Sequence, residues 1–171
     1  GGAVEGVRVR GWVRAVVSAR RVLAGPSGWA SSTREERLAG FGNIMAEYQK
    51  RAADLADAVS EEMGAPASLA AGPQVNMGLG HLATAVDVLT NFQFEEQHRR
   101  TLVVTEPIGV RGLITPWNWP INQIPCKVFP ALATGLPPAL TPSQTAPFRA
   151  HTSPRLNAPA ATPAGCPPPP P

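Results

Sequence analysis

The sequence predicts an α/β fold in which helices come first and a strand–turn–helix unit follows. Between residues 33 and 64, apolar residues recur every three or four positions, as they do on the buried face of a helix. Residues 106–135 then change from a β-branched run to a Pro-Trp-Asn-Trp-Pro turn and an amphipathic segment. We expect residues 1–12 to be irregular, residues 13–148 to carry the fold, and residues 149–171, which end in five prolines, to be a disordered or polyproline II tail.

Composition and charge argue against several classes of function. Of the 171 residues, 43% are hydrophobic, but no run is long or apolar enough for a membrane span and the N-terminus lacks a signal-peptide core. A cytoplasmic location is therefore predicted. The formal net charge is +3. Two basic clusters, the arginines between residues 8 and 21 and the segment 98–100, are not interleaved with aromatics, so a solvated helix face explains them better than a nucleic-acid surface. Cys126 and Cys166 indicate free thiols, with no disulfide framework and no metal site.

The first helix is predicted over residues 13–23, where apolar residues follow helical spacing and a Gly-Pro-Ser-Gly stop comes next. Trp29 lies just beyond that stop. Stacking on a ligand is one function for a tryptophan at this place, but an anchor in the core or in an interface is the better interpretation.

A long helix is predicted over residues 33–64. Thr33 and Glu36 have the spacing of a capping box, in which each side chain accepts a hydrogen bond from the other residue's backbone N–H. Gly64 ends the helix. The charged residues between 47 and 62 could form an acid–base site, but nothing in the sequence brings a partner to them. We interpret them as a solvated outer face.

A second long helix is predicted to start near Pro73 and to run to about residue 92. Gly78 and Gly80 fall inside it, and each costs about 1 kcal/mol relative to alanine. A close helix contact that leaves no room for a side chain would explain such glycines. His81 lies on or near the apolar face and is interpreted as a satisfied core or surface residue, not as a base or ligand.

Two strands and a helix follow. Residues 101–105 are rich in β-branched side chains and predict a short strand whose edges need a partner. Residues 110–115 predict a buried strand that Pro116 stops, and Pro120 suits the first position of the next helix. Pro125 should kink or delay that helix at a cost of about 3 kcal/mol.

Ligands in open α/β sheets bind at the carboxyl ends of strands, where a helix N-terminus also offers free N–H groups to an anion. The turn between strand and helix is therefore the predicted ligand site.

The turn and the helix after it resemble the aldehyde dehydrogenase superfamily. The matching pieces are the Thr-Pro-Trp-Asn-Trp-Pro turn of residues 115–120, Lys127, and the Pro-Ala-Leu-Ala-x-Gly ending of residues 130–135. The resemblance extends over about residues 13–148. It implies helices followed by the first βα unit of an incomplete Rossmann-like cofactor-binding domain. It also implies oxidation of an aldehyde to a carboxylic acid with NAD or NADP as the cofactor.

The resemblance implies roles for individual residues. Asn118 matches the asparagine whose side-chain amide stabilises the oxyanion of the reacting aldehyde, and the alternative is a turn asparagine bonded to its own backbone. The implied cofactor-binding residues are Ile114, Thr115, Pro116 and Trp117 beside the ribose and nicotinamide, and Thr141, Ser143 and Gln144 at the adenosine ribose.

Two of these positions depart from the family pattern. Thr141 and Gln144 stand where the family has the lysine and the glutamate that hold the ribose hydroxyls. Loss of the acidic residue removes repulsion against a 2′-phosphate and is compatible with NADP, whereas loss of the lysine works against either cofactor. In addition, Pro137 and Pro138 each delete an N–H that a central parallel strand would donate, which argues against a strand before Thr141.

Members of the family are much longer than this chain, and their nucleophilic cysteine and general-base glutamate lie well downstream of the turn. Cys126 is not a credible substitute, because it sits inside the predicted helix with no nearby histidine or cluster of basic groups. We therefore expect a truncated chain that is inactive alone. Its complete form would act on an aldehyde and would form a homo-oligomer, with residues 101–105 helping to build the sheet through which subunits associate.

A non-catalytic protein is the alternative. It would be an incomplete fragment, or a helical interaction module whose proline-rich tail docks into an SH3-like or WW-like groove. A reading-frame artefact would also explain the tail.

Overall fold

The computed structural model describes residues 13–23, 28–141 and 143 of the chain. The helices are α1 (residues 13–23), α2 (Arg34–Lys50), α3 (Ala52–Met63), α4 (Ala67–Leu69), α5 (Val75–Asn91), α6 (Pro120–Gln123) and α7 (Pro125–Ala133), and the strands are β1 (Glu95–His98), β2 (Thr101–Val104), β3 (Arg111–Ile114) and β4 (Pro138–Thr141). The α/β class and the succession of helices, strand, turn and helix agree with the prediction. The predicted irregular N-terminus and proline-rich tail lie outside the described residues.

The helix predicted over residues 33–64 is two helices. Its start is confirmed, because Thr33 Oγ1 accepts from the Glu36 N–H at 3.2 Å and Glu36 Oε2 accepts from the Thr33 N–H at 2.8 Å. Gly64, in the left-handed region at φ 65°, ends α3 as predicted. The prediction of one continuous helix was wrong at Arg51, whose φ of −106° and ψ of 16° separate α2 from α3. Apolar residues keep helical spacing through this break, so periodicity does not reveal it.

The helix predicted to start near Pro73 begins earlier. α4 leads through a π-helical turn, Ala70–Gln74, into α5, and Pro73 lies inside that turn. Proline has no N–H to donate and its ring crowds the carbonyl four residues before it, and a wider π turn accommodates both features. Pro73 therefore interrupts the geometry of a helix that has already begun, which corrects the prediction.

β1 and β2 form an antiparallel hairpin, with Glu95 opposite Val104 and His98 opposite Thr101. β2 confirms the predicted strand, whereas β1 was missed. The Glu-Glu-Gln-His sequence of β1 is polar and exposed throughout, so it carries no alternation of apolar residues. Arg99 in the connecting turn is left-handed at φ 55°, the backbone region that tight hairpin turns use.

β3 and β4 pair in parallel, with Arg111 opposite Pro138 and Ile114 opposite Thr141. The argument from prolines against this second strand was therefore wrong. Pro138 is the first residue of β4, where a missing N–H is tolerated. Pro137 contributes its carbonyl, which accepts from the Arg111 N–H at 3.4 Å.

β3 was predicted to be a buried strand, but it is buried on one face only. Leu113 is 8% exposed, whereas its neighbour Ile114 is 74% exposed. Within the described residues, α7 packs against β3 and β4. Because side chains alternate across a strand, a single covering layer buries only every second residue.

Two clusters of buried side chains hold the N-terminal helices to the βα unit. The first joins α2, α5 and α7, and in it Phe41 packs edge-to-face against Phe129 with ring centroids 6.0 Å apart. The second joins α2, α3 and α5 to α6 and includes Tyr48, Val59 and Ile121. α5 therefore lies between the N-terminal helices and the two helices that follow the predicted ligand turn.

Two predictions about single residues are confirmed. The helix after the turn breaks where Pro125 requires it, since α6 ends at Gln123 and α7 begins at Pro125. Trp29 is a core anchor, only 7% exposed, and its Nε1–H donates to the Leu132 carbonyl at 2.8 Å. Across the described residues, we find no helix with the length and apolar character needed to cross a membrane.

Candidate functional site

The candidate site lies at the carboxyl edge of the parallel β3–β4 pair. One further backbone bond extends this pairing beyond β3, because the Thr115 N–H donates to the Thr141 carbonyl at 3.2 Å. Thr115 is only 5% exposed, and its hydrogen bond to β4 fixes the point at which the chain leaves the sheet. The turn that follows β3 and the end of β4 consequently meet at one edge, which is where ligands bind in open α/β sheets.

The turn between β3 and α6 has a strained residue. Trp119 has φ 51° and ψ 53°, a left-handed conformation that is unusual for a bulky side chain and costs of order 1–3 kcal/mol. Its carbonyl accepts from the N–H groups of Asn122 and Gln123 at 2.9 and 3.0 Å, so this conformation starts the helix. Sequence reasoning missed it, since tryptophan gives no signal for a left-handed backbone.

Asn118 immediately precedes this strained residue and is exposed. Within the described residues its side chain makes no hydrogen bond, so the backbone bond that a turn asparagine would form is not present there. The amide therefore has its donors available to a ligand at the sheet edge. A catalytic role for Asn118 stays a prediction, and its geometry is compatible with that role.

The predicted cofactor-binding residues gather at the same edge, apart from one. Ile114 is 74% exposed at the end of β3, and Trp117, the residue before Asn118, is 59% exposed, so both present apolar surface at this edge. Pro116 is exposed and Thr115 is buried, while Thr141, at the end of β4, and Ser143, two residues later, are half-buried. Gln144 lies outside the described residues. Exposed apolar faces next to hydroxyl groups suit the mixed apolar and hydroxyl surface of a dinucleotide.

The start of the helix after the turn offers few N–H groups to a ligand. α6 is only four residues long, and its first residue is Pro120, which has no N–H. α6 continues into α7 through Ile124, which keeps a helical backbone at φ −76° and ψ −57°, so anion binding at the start of α6 stays a prediction. The strands and the turn form the rest of the predicted ligand edge.

A polar cluster that the sequence did not indicate joins α5 to α6 and α7. His81 is half-buried, with its Nε2 2.6 Å from Asn122 Oδ1, which agrees with its interpretation as a satisfied residue. The Cys126 thiol is half-buried and donates to the Gln123 carbonyl at 3.4 Å. One basic group is near it, the Lys127 ammonium at 3.8 Å from Sγ, and His81 and Cys126 both line a cavity of about 220 Å³. In the described ranges, this cluster included, no set of three His, Cys, Asp or Glu side chains is placed to hold a metal ion.

Comparison with known sequences gives a family for this chain. Residues 8–167 match the model of the aldehyde dehydrogenase family. The 3-succinoylsemialdehyde-pyridine dehydrogenase of a Pseudomonas species is 45% identical over 143 residues, which are 83% of this chain and 29% of that protein. A putative aldehyde dehydrogenase of Staphylococcus epidermidis is 48% identical over 119 residues, which are 70% of this chain and 25% of that protein. The chain thus spans less than a third of the length of these relatives.

Solved structures agree with the sequences. An aldehyde dehydrogenase of Bartonella henselae has a TM-score of 0.86 at 34% identity, covering 92% of this chain and 33% of its own. A cysteine-to-alanine mutant of aldehyde dehydrogenase C from Pseudomonas syringae, solved with NAD⁺ and octanal, has a TM-score of 0.85 at 39% identity, covering 91% of this chain and 31% of its own. Since the family model matches most of the chain and the fold is shared with these enzymes, the chain belongs to the aldehyde dehydrogenase family.

Proposed function

We propose that the chain forms the first part of the cofactor-binding domain of an NAD(P)-dependent enzyme that oxidises an aldehyde to a carboxylic acid. The observation that carries this proposal is the position of Asn118. Its side chain is exposed at the carboxyl edge of the parallel β3–β4 pair, and no hydrogen bond within the described residues occupies its amide. An exposed amide with unoccupied donors is available to a reacting carbonyl oxygen.

Aldehyde oxidation of this kind needs a thiolate that adds to the carbonyl carbon, donors for the resulting oxyanion, a hydride acceptor, and a carboxylate that activates water to hydrolyse the thioester. Asn118 is proposed as one oxyanion donor. A neutral amide suits this role because it donates a hydrogen bond without titrating. NAD or NADP supplies the hydride acceptor. The thiolate and the general base are assigned to the part of the enzyme that this chain does not span.

The remaining residues of the edge are proposed to bind the cofactor. Ile114, Thr115, Pro116 and Trp117 would line the cleft beside the ribose and nicotinamide. Thr141, Ser143 and Gln144 would lie at the adenosine ribose, and all three are uncharged. Because this set has no carboxylate to repel a 2′-phosphate, it is compatible with NADP as well as with NAD.

A chimera tests the proposal. Residues 13–143 of this chain would replace the matching N-terminal part of the Pseudomonas relative, which supplies the remainder of the enzyme. We expect the chimera to reduce NAD or NADP in the presence of the relative's aldehyde. We expect the 171-residue chain alone to reduce neither, because the thiolate and the general base are assigned to the part of the enzyme that this chain does not span.

The measurement is the appearance of NADH or NADPH over a panel of aldehydes, with heat-treated protein as the control. A chimera that folds but is inactive would contradict the assignment of the cofactor edge. Cofactor reduction by the isolated chain above its heat-treated control would contradict the assignment of the nucleophile to another part of the enzyme.

We also propose that the complete enzyme self-associates through the β1–β2 hairpin. Leu102, Val103 and Val104 are 53%, 47% and 47% exposed, and within the described part of the chain β2 has a paired strand on one side only. Apolar edge strands of this kind readily pair with a strand of another chain.

We expect Val103→Lys to shift the chimera to smaller species in sedimentation velocity, because it places a charge on that edge. Thr101→Lys, at the polar end of the same strand, is the control, and unchanged sedimentation of Val103→Lys would rule out this interface.

A further inference from the structure

Arg37 on α2 is a buried cation with no carboxylate partner among the described residues. Its side chain is 6% exposed. Burial lowers the pKa of its guanidinium, while the nearby charge of Glu36 acts in the opposite direction. Arginine nevertheless stays protonated in proteins. A buried charge of this kind persists only where hydrogen bonds replace its lost hydration.

The guanidinium of Arg37 donates three hydrogen bonds, which join α2 to the chain at residues 30–32 and to the end of α7. Nη1 donates to the Ala133 carbonyl at 3.1 Å, Nη2 to the Ala30 carbonyl at 3.3 Å, and Nε to Ser32 Oγ at 3.0 Å. Ala133 is the last residue of α7. A cation at the C-terminus of a helix also interacts favourably with the negative end of the helix dipole. Arg37 therefore holds the end of α7 against the N-terminal region.

Trp29 holds the preceding residue of α7 in the same way, because its Nε1–H donates to the Leu132 carbonyl at 2.8 Å. We call the side chains of Trp29 and Arg37, with the carbonyls of Leu132 and Ala133, the α7 latch. The latch connects segments about one hundred residues apart, with separations of 103 and 96 residues for its two bonds to α7. It thus fixes the position of the C-terminus of α7 by long-range contacts.

Gly135 shows how closely the latch fits the chain that leaves α7. It has φ +80°, and a Cβ at this position would lie 2.7 Å from Arg37 Nη2 and 3.0 Å from Pro107 Cγ. The next residue, Leu136, donates its N–H to the Ala131 carbonyl at 2.8 Å. β4 begins at Pro138, two residues later. The guanidinium therefore sits against the backbone that leads directly into β4.

We propose that Arg37 is a positioning residue for the cofactor edge. By holding the end of α7, it fixes where β4 starts, and so it sets Thr141 opposite Ile114 and beside Thr115 at the ligand edge. This inference rests on the proposed function, because it treats that edge as the cofactor site. A residue that only stabilises the fold would affect all parts of the chain alike, whereas a positioning residue affects the β3–β4 edge first.

Amide hydrogen exchange of the 171-residue chain separates these two roles. Arg37→Lys keeps the charge but cannot reach three acceptors with the fixed fork of a guanidinium. We expect it to speed amide exchange at Thr115, Gly135 and Leu136 about tenfold more than at Leu55 in α3. A tenfold difference corresponds to the loss of about one hydrogen bond from a charged donor. Each of these amides donates a backbone hydrogen bond.

Arg34→Lys is the matched control. Arg34 lies on the same helix and also donates to backbone carbonyls, but these belong to Thr90 and Phe92 at the end of α5. It should not change exchange at the β3–β4 edge selectively. Equal acceleration at all amides in Arg37→Lys, or no acceleration, would overturn the proposal. If Arg37→Lys does not fold, Trp29→Phe removes the other donor of the latch while keeping an aromatic ring, and the same selective pattern is then required.

The chimera distinguishes failure of this inference from failure of the proposed function. With an active chimera, Arg37→Lys should raise the KM for NAD about tenfold while kcat changes much less, since the edge is displaced but Asn118 is retained. An unchanged KM would overturn the positioning role. An inactive wild-type chimera would instead contradict the proposed function, and the exchange experiment would still decide whether the latch holds the β3–β4 edge.

Discussion

Replacing Asn118 with alanine in the active chimera is expected to lower kcat by about 10²- to 10³-fold, or roughly 3 to 4 kcal/mol in the barrier, as the loss of one oxyanion donor does elsewhere. The exposed side chain makes no hydrogen bond within the described residues, so its removal leaves few contacts unmade in the folded state. The thermal midpoint should therefore change little. A mere turn residue would behave in the opposite way, because losing a turn hydrogen bond costs about 1 kcal/mol of stability and leaves kcat unchanged.

Asn91→Ala provides the comparison for this experiment. Asn91 is also exposed, but its side-chain amide donates to the Asp87 carbonyl at 2.9 Å at the end of α5. This variant should lower the thermal midpoint slightly and leave kcat at the value of the chimera. Both constants are to be measured with the cofactor saturating, so that weaker cofactor binding is not mistaken for slower chemistry. If Asn118→Ala behaves like Asn91→Ala, Asn118 is a turn residue.

Features encoded by a few neighbouring residues could be predicted from the sequence. The capping box of Thr33 and Glu36, the left-handed stop at Gly64 and the break at Pro125 each follow from local backbone chemistry and were confirmed. The turn that carries Asn118 was found for a similar reason, because its residues are contiguous and distinctive. Local signals therefore located the site along the chain.

Features that depend on contacts between distant segments could not be predicted. β1 exists because it pairs with β2, and its polar residues give no sign of it. β4 forms although two prolines argue against it, because the Pro137 carbonyl accepts a hydrogen bond from β3 and Pro138 is the first residue of β4, where no N–H is needed. Arg37 follows the capping residues, and no local pattern marks it as buried, yet it lies beneath α7. The site edge is thus assembled by long-range contacts that no single stretch of sequence contains.

Gly78 connects a sequence expectation to a large effect on stability. The sequence suggested that its missing side chain allows a close helix contact, and the structure confirms this for Gly78 but not for Gly80. A Cβ on Gly78 would lie 2.1 Å from Tyr48 Oη and 2.8 Å from Ile121 Cγ2, whereas a Cβ on Gly80 would meet nothing within 4 Å. Tyr48 is 4% exposed and donates its hydroxyl to the Val75 carbonyl at 2.9 Å, so it cannot move without breaking a buried hydrogen bond.

We therefore expect Gly78→Ala and Gly80→Ala to change the stability of the 171-residue chain in opposite directions, although both place alanine inside α5. Alanine is intrinsically better in a helix by about 1 kcal/mol. Gly80→Ala should raise the free energy of unfolding by that amount, which corresponds to a rise of about 2–4 °C in the thermal midpoint for a chain of this size. At Gly78 the same gain is outweighed, since overpacking costs about 1–3 kcal/mol and displacing the Tyr48 hydroxyl leaves a buried polar group unpaired at a further 1–3 kcal/mol. Gly78→Ala should lower the midpoint by several degrees.

Tyr48→Phe removes Oη, the atom nearest to the new Cβ. The double variant should therefore recover part of the lost stability if steric conflict is its cause. Equal midpoints for the two alanine variants would show that α2 and α5 separate easily at this contact, and that the glycine is not needed there.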